Sequence, residues 1–464
     1  MESGKMVKAR KITWVSWIFL TVLFFGVPSF IHADISDILL KFHPYLVAEE
    51  TYSTNILLSP NRFKLADYIT TVNPGLRFTH VQAGSYGIDL DVSGGYTYYK
   101  KNAELSYWDY QGRLDSWYAV TPKLTFRLRD YVIRSDAGRE DQYDSSYLYN
   151  DQGQYIGDTQ AGQYLLSTER VHAVYTRNVV EPSVEYRFGR ENLARLLYRN
   201  NIYRNKNPLF EDSTENTISP LLNYWLDIKN GITLEYILTL GHFERSEDLT
   251  GHEIRGRYTH RLNPRLSLFG EYIYTKEDFA YPGVDYDVHN PSLGLEYKFS
   301  PTLTGTLQGG YFWESADDDS RSRGPFFHVG LIQTGQKTNY ALMFDAGYSR
   351  DYFTAENLGF EKYYRGYGTI THRLTQRLSL QANGSGYRVW YPQSEDNRKD
   401  WIWDGRLSAS YALFQWLTLT LEGGHQETHS NIEGLSYSEY SGTLRITLGQ
   451  MGYQPGLGIG RAYR

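Results

Sequence analysis

From residue 43 to residue 448, apolar and polar residues alternate with period two in one long segment after another. Leu417, Leu419 and Leu421 alternate with Thr418, Thr420 and Glu422. Ile232, Leu234, Tyr236, Leu238 and Leu240 alternate with Thr233, Glu235 and Thr239, and Leu444, Ile446 and Leu448 with Thr443, Arg445 and Thr447. Successive side chains of an extended chain point to opposite faces, so each segment predicts a strand with one apolar and one polar face. A soluble sandwich alternates too, and three further features separate the two. The segments run to about 12–16 residues, against about 5–6 for ordinary strands. Short connections at Thr121–Lys123, Lys229–Gly231, Asn263–Arg265, Ser300–Pro301 and Thr375–Gln376 alternate with longer polar ones. The longer ones include Asp136–Leu166, Glu314–Gly324, Asp351–Glu361 and Pro392–Lys399. Finally, Tyr and Trp gather near segment ends, as at Tyr96, Tyr98, Trp108, Trp117, Trp313, Trp390, Trp401 and Trp403. Two such girdles mark the two surfaces of a bilayer.

Lipid cannot hydrogen-bond a bare strand edge, so strands that cross it must close into a barrel. The predicted fold class is therefore all-β: a single transmembrane antiparallel β-barrel of the bacterial outer membrane. About 20 segments are counted, with 18 as the alternative if the first is discounted. Short turns then fall on the periplasmic side and long loops outside, with both chain ends periplasmic. An apolar exterior around a wet interior reconciles membrane residence with a mean hydropathy of −0.52.

The first 33 residues have a different character. Lys5, Lys8, Arg10 and Lys11 precede an apolar run from Ile12 to Val27, and Ile31–His32–Ala33 suits cleavage. This reads as a secretory signal peptide; the alternative is an uncleaved anchor helix, for which the run is short. The organisation is thus 1–33 signal peptide, 34–450 barrel and 451–464 Gly-rich periplasmic tail. Cleavage leaves 43 basic and 52 acidic residues, a formal charge of −9. That balance gives no support to nucleic-acid binding. Zero Cys excludes disulfides, thiolate metal sites and a cysteine nucleophile.

Hairpin-scale repeats run through the chain. Val72–Asn73–Pro74–Gly75–Leu76 is echoed by Val180–Glu181–Pro182–Ser183–Val184, by Ile218–Ser219–Pro220–Leu221 and by Val288–His289–Asn290–Pro291. Proline cannot donate to a ladder, so these four predict a bulge or bend at one depth. With the repeats goes the opening segment: His43–Pro44–Tyr45–Leu46, then Glu50–Thr51–Tyr52–Ser53–Thr54–Asn55–Ile56, then Asp67 through Pro74–Gly75–Leu76. Together these resemble the beta-barrel porin family associated with bacterial exopolysaccharide and exosortase (PEP-CTERM) gene clusters. Ser53–Thr54 departs from the pattern, where an acidic residue would precede the Asn. The resemblance spans most of residues 43–448. It implies an outer-membrane barrel serving export of an extracellular polysaccharide, and it carries no catalytic residues.

Alternation assigns the interior. Arg113, Arg127, Arg129, Arg195, Arg199, Arg255, Arg257, Arg406 and Arg445 oppose the apolar face, with Glu271 and Glu422 among the acids. Such arginines could contact carboxylate, sulfate or phosphate groups, and Tyr131, Tyr203 and Tyr387 could stack on sugar rings. The plainer reading is that Arg and Glu pair across strands in a wet lumen. The Asp136–Leu166 connection, about 30 residues long, is read as an inward constriction or as a surface loop against lipopolysaccharide. Asp317–Asp318–Asp319 reads as a solvated acidic tip, and no histidines take metal-ligand spacing. Hydrolase, zinc-protease and phosphate-loop motifs are absent, so no enzyme activity, metal or cofactor is expected.

The preferred expectation is a conduit for an extracellular polysaccharide, without chemistry in the barrel. Its partners would be outer-membrane lipid and lipopolysaccharide, the polysaccharide as cargo, and a periplasmic export protein touching the tail. The alternative is a general or substrate-selective diffusion porin, marked by an inward-folded loop with fixed opposite charges. A barrel enzyme is the third reading. A barrel this wide is expected to stand as a monomer.

Overall fold

The computed structural model describes residues 41–135 and 174–449, apart from 209, 319–320, 354–356, 393 and 395. The expected signal peptide, the Asp136–Leu166 loop and the tail lie outside the described residues. Twenty strands follow one another along the chain. They are β1 (Phe42–Ser53), β2 (Asp67–Gln82), β3 (Tyr86–Tyr99), β4 (Tyr107–Thr121), β5 (Leu124–Ser135), β6 (Tyr175–Phe188) and β7 (Asn192–Asn205). Then come β8 (Ser213–Trp225), β9 (Asn230–Phe243), β10 (Leu249–Asn263), β11 (Leu266–Phe279), β12 (Tyr286–Ser300), β13 (Leu303–Ala316) and β14 (Arg321–Thr334). The last are β15 (Thr338–Asp351), β16 (Gly359–Arg373), β17 (Leu378–Trp390), β18 (Lys399–Phe414), β19 (Leu417–Ser430) and β20 (Tyr437–Leu448). Each pairs antiparallel with its sequence neighbours, and β1 pairs with β20 from Leu46↔Leu448 to Ser53↔Ser441. The sheet is a closed 20-stranded barrel. Short turns and both barrel ends share one rim, and the longer loops share the other.

The two faces follow the predicted alternation. Leu293, Leu307, Leu407 and Leu421 point outward and are exposed, Leu293 at 74%. Glu235, Thr239, Glu253 and Glu271 take the other parity and are buried. Outward aromatic residues form a belt near each rim. Tyr96, Trp108, Trp313, Trp401 and Trp403 lie toward the long loops, and Tyr118, Tyr186, Tyr224, Phe299 and Trp416 toward the short turns.

Four expectations change in detail. The connection expected over Glu314–Gly324 is instead mostly strand, because Glu314 pairs with Ser322 and Ser315 with Arg321. Likewise Asp351 ends β15 and Gly359–Glu361 open β16, inside a stretch expected as a connection, and Lys399, expected to close another, opens β18. The prolines produce no bulge. At Pro74, Pro182, Pro220 and Pro291 the pairing to the following strand lapses for two positions and resumes in the same register. Each proline lacks one N–H, so the ladder opens locally without inserting a residue.

A fifth outward proline, Pro325, ends differently. Strands β14 and β15 pair only from Phe327↔Ala346 to Thr334↔Asn339. Above that point β15 pairs with β16 alone, as far as Asp351↔Gly359. The upper β15–β16 hairpin leaves the wall and turns into the barrel mouth. Its Tyr348 and Phe360 pack on Phe312 of β13, at ring distances of 5.0 and 6.4 Å.

Candidate functional site

The inward hairpin organises the interior near the long-loop rim. Tyr352, Phe353 and Phe360 enter a buried cluster with Phe243, Leu249, Tyr286, Val288 and Phe312. These last five come from the inward faces of β9, β10, β12 and β13. Phe353 stacks on Phe243 at 5.3 Å, and the hydroxyls of Tyr286 and Tyr352 share a 2.8 Å hydrogen bond. Sequence explains the close approach. A Cβ at Gly241 would stand 3.0 Å from the Phe353 ring, tighter than nearly all real contacts.

Charge locks the same hairpin. Arg350 donates to Glu253 Oε2 at 3.0 Å and to Glu277 Oε1. Glu253 also receives Arg255, 3.3 Å away. Glu277 is fully buried opposite Gly251, where a Cβ would lie 2.3 Å from its Oε2. Glycine at 251 therefore makes room for the carboxylate that holds Arg350. An ion pair this buried survives because each charge is matched on the spot.

The sequence-predicted residues all lie on the inward parity, and most are paired. Arg113 on β4 faces Asp91 and Tyr131 across its two neighbours and is exposed to the lumen. Arg127 and Arg129 flank Asp115 at 3.4 and 3.9 Å. Arg199 grips Glu181 at 2.6 Å, and Arg195 reaches Glu235 at 3.5 Å, two strands away. Arg257 bonds Glu271 at 2.7 Å, and Glu271 also accepts from Gln308 at 3.0 Å. Arg406 lies 3.7 Å from Asp404, and Glu422 faces Ser408 and Thr443. Arg445 pairs with Glu49 across the β1–β20 closure.

The tyrosines divide. Tyr131 packs beside Ile133, Tyr175 and Tyr203. Tyr203 is 0% exposed, with Tyr175 at 5.3 Å and the Arg177 guanidinium at 5.5 Å from its ring. Tyr387 donates to Glu361 at 2.5 Å. Tyr203, fully buried, offers no open ring face of the kind a sugar needs, whereas Tyr387 is partly exposed. At the opening segment, the Ser53 hydroxyl donates to Glu439 at 2.5 Å, so an acid reaches this position from across the closure.

Residues the sequence reading did not single out include Arg350, Glu253, Glu277 and the hairpin aromatics. Arg350 shares the parity of Leu342 and Phe344, which are outward and exposed, so parity alone would set it at the lipid interface; the inward departure of the strand places it inside instead. Outside the spanning strands, the Glu191 carboxyl sits in the β6–β7 turn. Hydrogen bonds from Arg261, at 2.6 and 3.1 Å, hold it below the ordinary glutamate value.

No curated protein matches the chain. Among solved structures it is similar to a variant of the ferric enterobactin receptor PfeA of Pseudomonas aeruginosa, at 10% identity and a TM-score of 0.49. That match covers 88% of this chain and 81% of the other. The siderophore receptor PirA of the same organism gives 10% identity, a TM-score of 0.45 and coverage of 88% and 80%. The outer membrane protein OpdK of P. aeruginosa gives 10%, 0.42, 88% and 99%. The stretch from β10 to β20, residues 247–450, which carries the whole inward hairpin, matches the family described as "Putative beta-barrel porin 2".

Proposed function

We propose that this barrel is an outer-membrane porin passing small hydrophilic solutes through a mouth narrowed by its own hairpin. The observation that carries the reading is the upper β15–β16 hairpin, seated inside the wall by an aromatic cluster and by Arg350 between Glu253 and Glu277. A rigid inward element with fixed opposite charges restricts a passage by size and by field. The outward apolar belt with aromatic rims suits a bilayer, and the family match supports the porin class. No chemistry is assigned to the barrel; it acts by geometry and charge. The test is reconstitution of the purified protein in a planar bilayer. Discrete conductance steps with a defined ion preference support the reading. Bilayers that stay silent at every protein load overturn it.

Polysaccharide export, implied by the family resemblance, is the second reading. The observation in its favour is the inward set Arg113, Arg127, Arg129 and Tyr131 on adjacent strands, groups suited to anionic sugars. In-frame deletion with complementation separates the two. Loss of surface polymer with unchanged solute uptake favours export, whereas normal polymer with slowed uptake leaves the porin.

A further inference from the structure

The outward face at the long-loop rim of β16 to β18 carries an arrangement that the channel does not use. Lys362, Trp390 and Lys399 stand in one cross-strand row. Tyr364, Arg388 and Trp401 stand in the next. The Arg388 guanidinium lies 4.4 Å from the ring centres of both Trp390 and Trp401. It therefore lies over the rings of two indoles. Arg388 and Lys399 are exposed, and among the described residues neither makes an ion pair; Lys362, half-buried, is paired in the ladder with Tyr348 of the inward hairpin and stands apart from them.

Three outward cations elsewhere on this rim are engaged. Arg134 is spent on the Trp108 carbonyl. Arg204 donates to the Tyr203 and Ser213 carbonyls at 2.8 and 2.6 Å. Lys276 pairs with Asp278 at 2.5 Å. The β16–β18 patch keeps positive charge available, as Arg321 and Arg323 on β14 also do, and adds a cation set against two indoles. Position matters as much as charge. A cation is costly at mid-bilayer but tolerated near the interface, where it can reach headgroup anions. Arg388 is two residues from the end of β17, and Lys399 is the first residue of β18.

From these observations we infer a binding site for the phosphorylated headgroup of an outer-leaflet glycolipid. Arg388 is the fixed phosphate donor and Lys399 the mobile point charge. Trp390 and Trp401 serve both as the cage for Arg388 and as the platform for the saccharide and glycerol-depth region. The inference rests on the outer-membrane reading above, with the long loops outside.

The test uses the full mature protein purified from membranes in mild detergent, with native mass spectrometry scoring retained lipid. The probes are diphosphoryl lipid A and its fully dephosphorylated form. Parent protein is expected to retain the diphosphoryl lipid, and Arg388→Gln/Lys399→Gln to retain about tenfold less, as loss of charge-assisted bonds dictates. Lys276→Gln, which removes a cation already paired, is the control and should match the parent. Strand content by circular dichroism confirms that all three fold. Equal retention in parent and double variant, or equal retention of the dephosphorylated lipid, overturns the site. Membrane fractionation run beside it keeps the two claims apart. Absence of the protein from the outer membrane defeats the localisation, and presence there with unchanged retention defeats the lipid site alone.

Discussion

Replacing Arg350 by Met tests whether the inward hairpin is fastened by charge. The substitution keeps a long side chain and removes the cation between Glu253 and Glu277. Glu253 retains Arg255 at 3.3 Å. Glu277 is fully buried, and among the described residues Arg350 is the cation paired with it. Breaking one side of a buried pair costs about 3–5 kcal/mol, since the remaining charge is left unmatched. Burial of Tyr352, Phe353 and Phe360 opposes release, at about 1.5–3 kcal/mol for each ring. The hairpin therefore stays seated on average and opens more often. At 1.4 kcal/mol per factor of ten, the opening constant rises by roughly two to three and a half powers of ten. Hydrogen exchange of the β15 amides from 347 to 351 reads that change directly, and noisier single-channel current accompanies it. Adding Glu277→Leu removes the stranded charge and is expected to restore most of the protection. Exchange in Arg350→Met within twofold of the parent, or a double variant no better protected than the single one, would refute the reasoning.

Tyr203→Ala, which empties a fully buried site between Tyr175 and Arg177, is expected to cost about 3–5 kcal/mol in denaturant unfolding, with conductance little changed. Arg113→Glu reverses a charge exposed to the lumen and should move the reversal potential toward cation preference, at a modest cost in stability because the new carboxylate stands opposite Asp91. Glu191→Gln bears on pH: a carboxyl with a lowered folded value stabilises above its unfolded value, near 4.3, and loses that contribution as pH falls through the folded one. The parent should therefore exceed the variant by about 0.5 kcal/mol at neutral pH, the scale of an exposed pair, and the two should converge in acid.

The barrel wall was legible because a strand with lipid on one side and water on the other has no freedom in its period. Each segment from β1 to β20 declared its faces through residues such as Leu234 and Glu235. Turn residues such as Asn263–Pro264–Arg265 fixed the rims. The interior partners were not legible. Arg195 meets Glu235 across an intervening strand, a contact set by barrel curvature and not by spacing along the chain. The hairpin was hidden for a different reason. Tyr348 and Arg350 continue the parity of the outer face and lie inside only because β15 has parted from β14. Parity assigns a face relative to the local strand, and it carries no information about where that strand goes. The aromatic pair Tyr352–Phe353, in a connection otherwise read as polar, was the clue in the sequence.

The pairing of β1 with β20 has a consequence for how the molecule comes to exist. Other strand neighbours are adjacent in sequence, so those hairpins can form as the chain is delivered. The seam alone joins residues such as Glu49 and Arg445. Until the final strand arrives, the growing sheet has two bare edges that hydrocarbon cannot satisfy and that other chains can. Completion of the twentieth strand is thus the commitment step of assembly. A truncation that removes β20 would therefore be expected to leave a persistent, aggregation-prone intermediate and not a smaller pore.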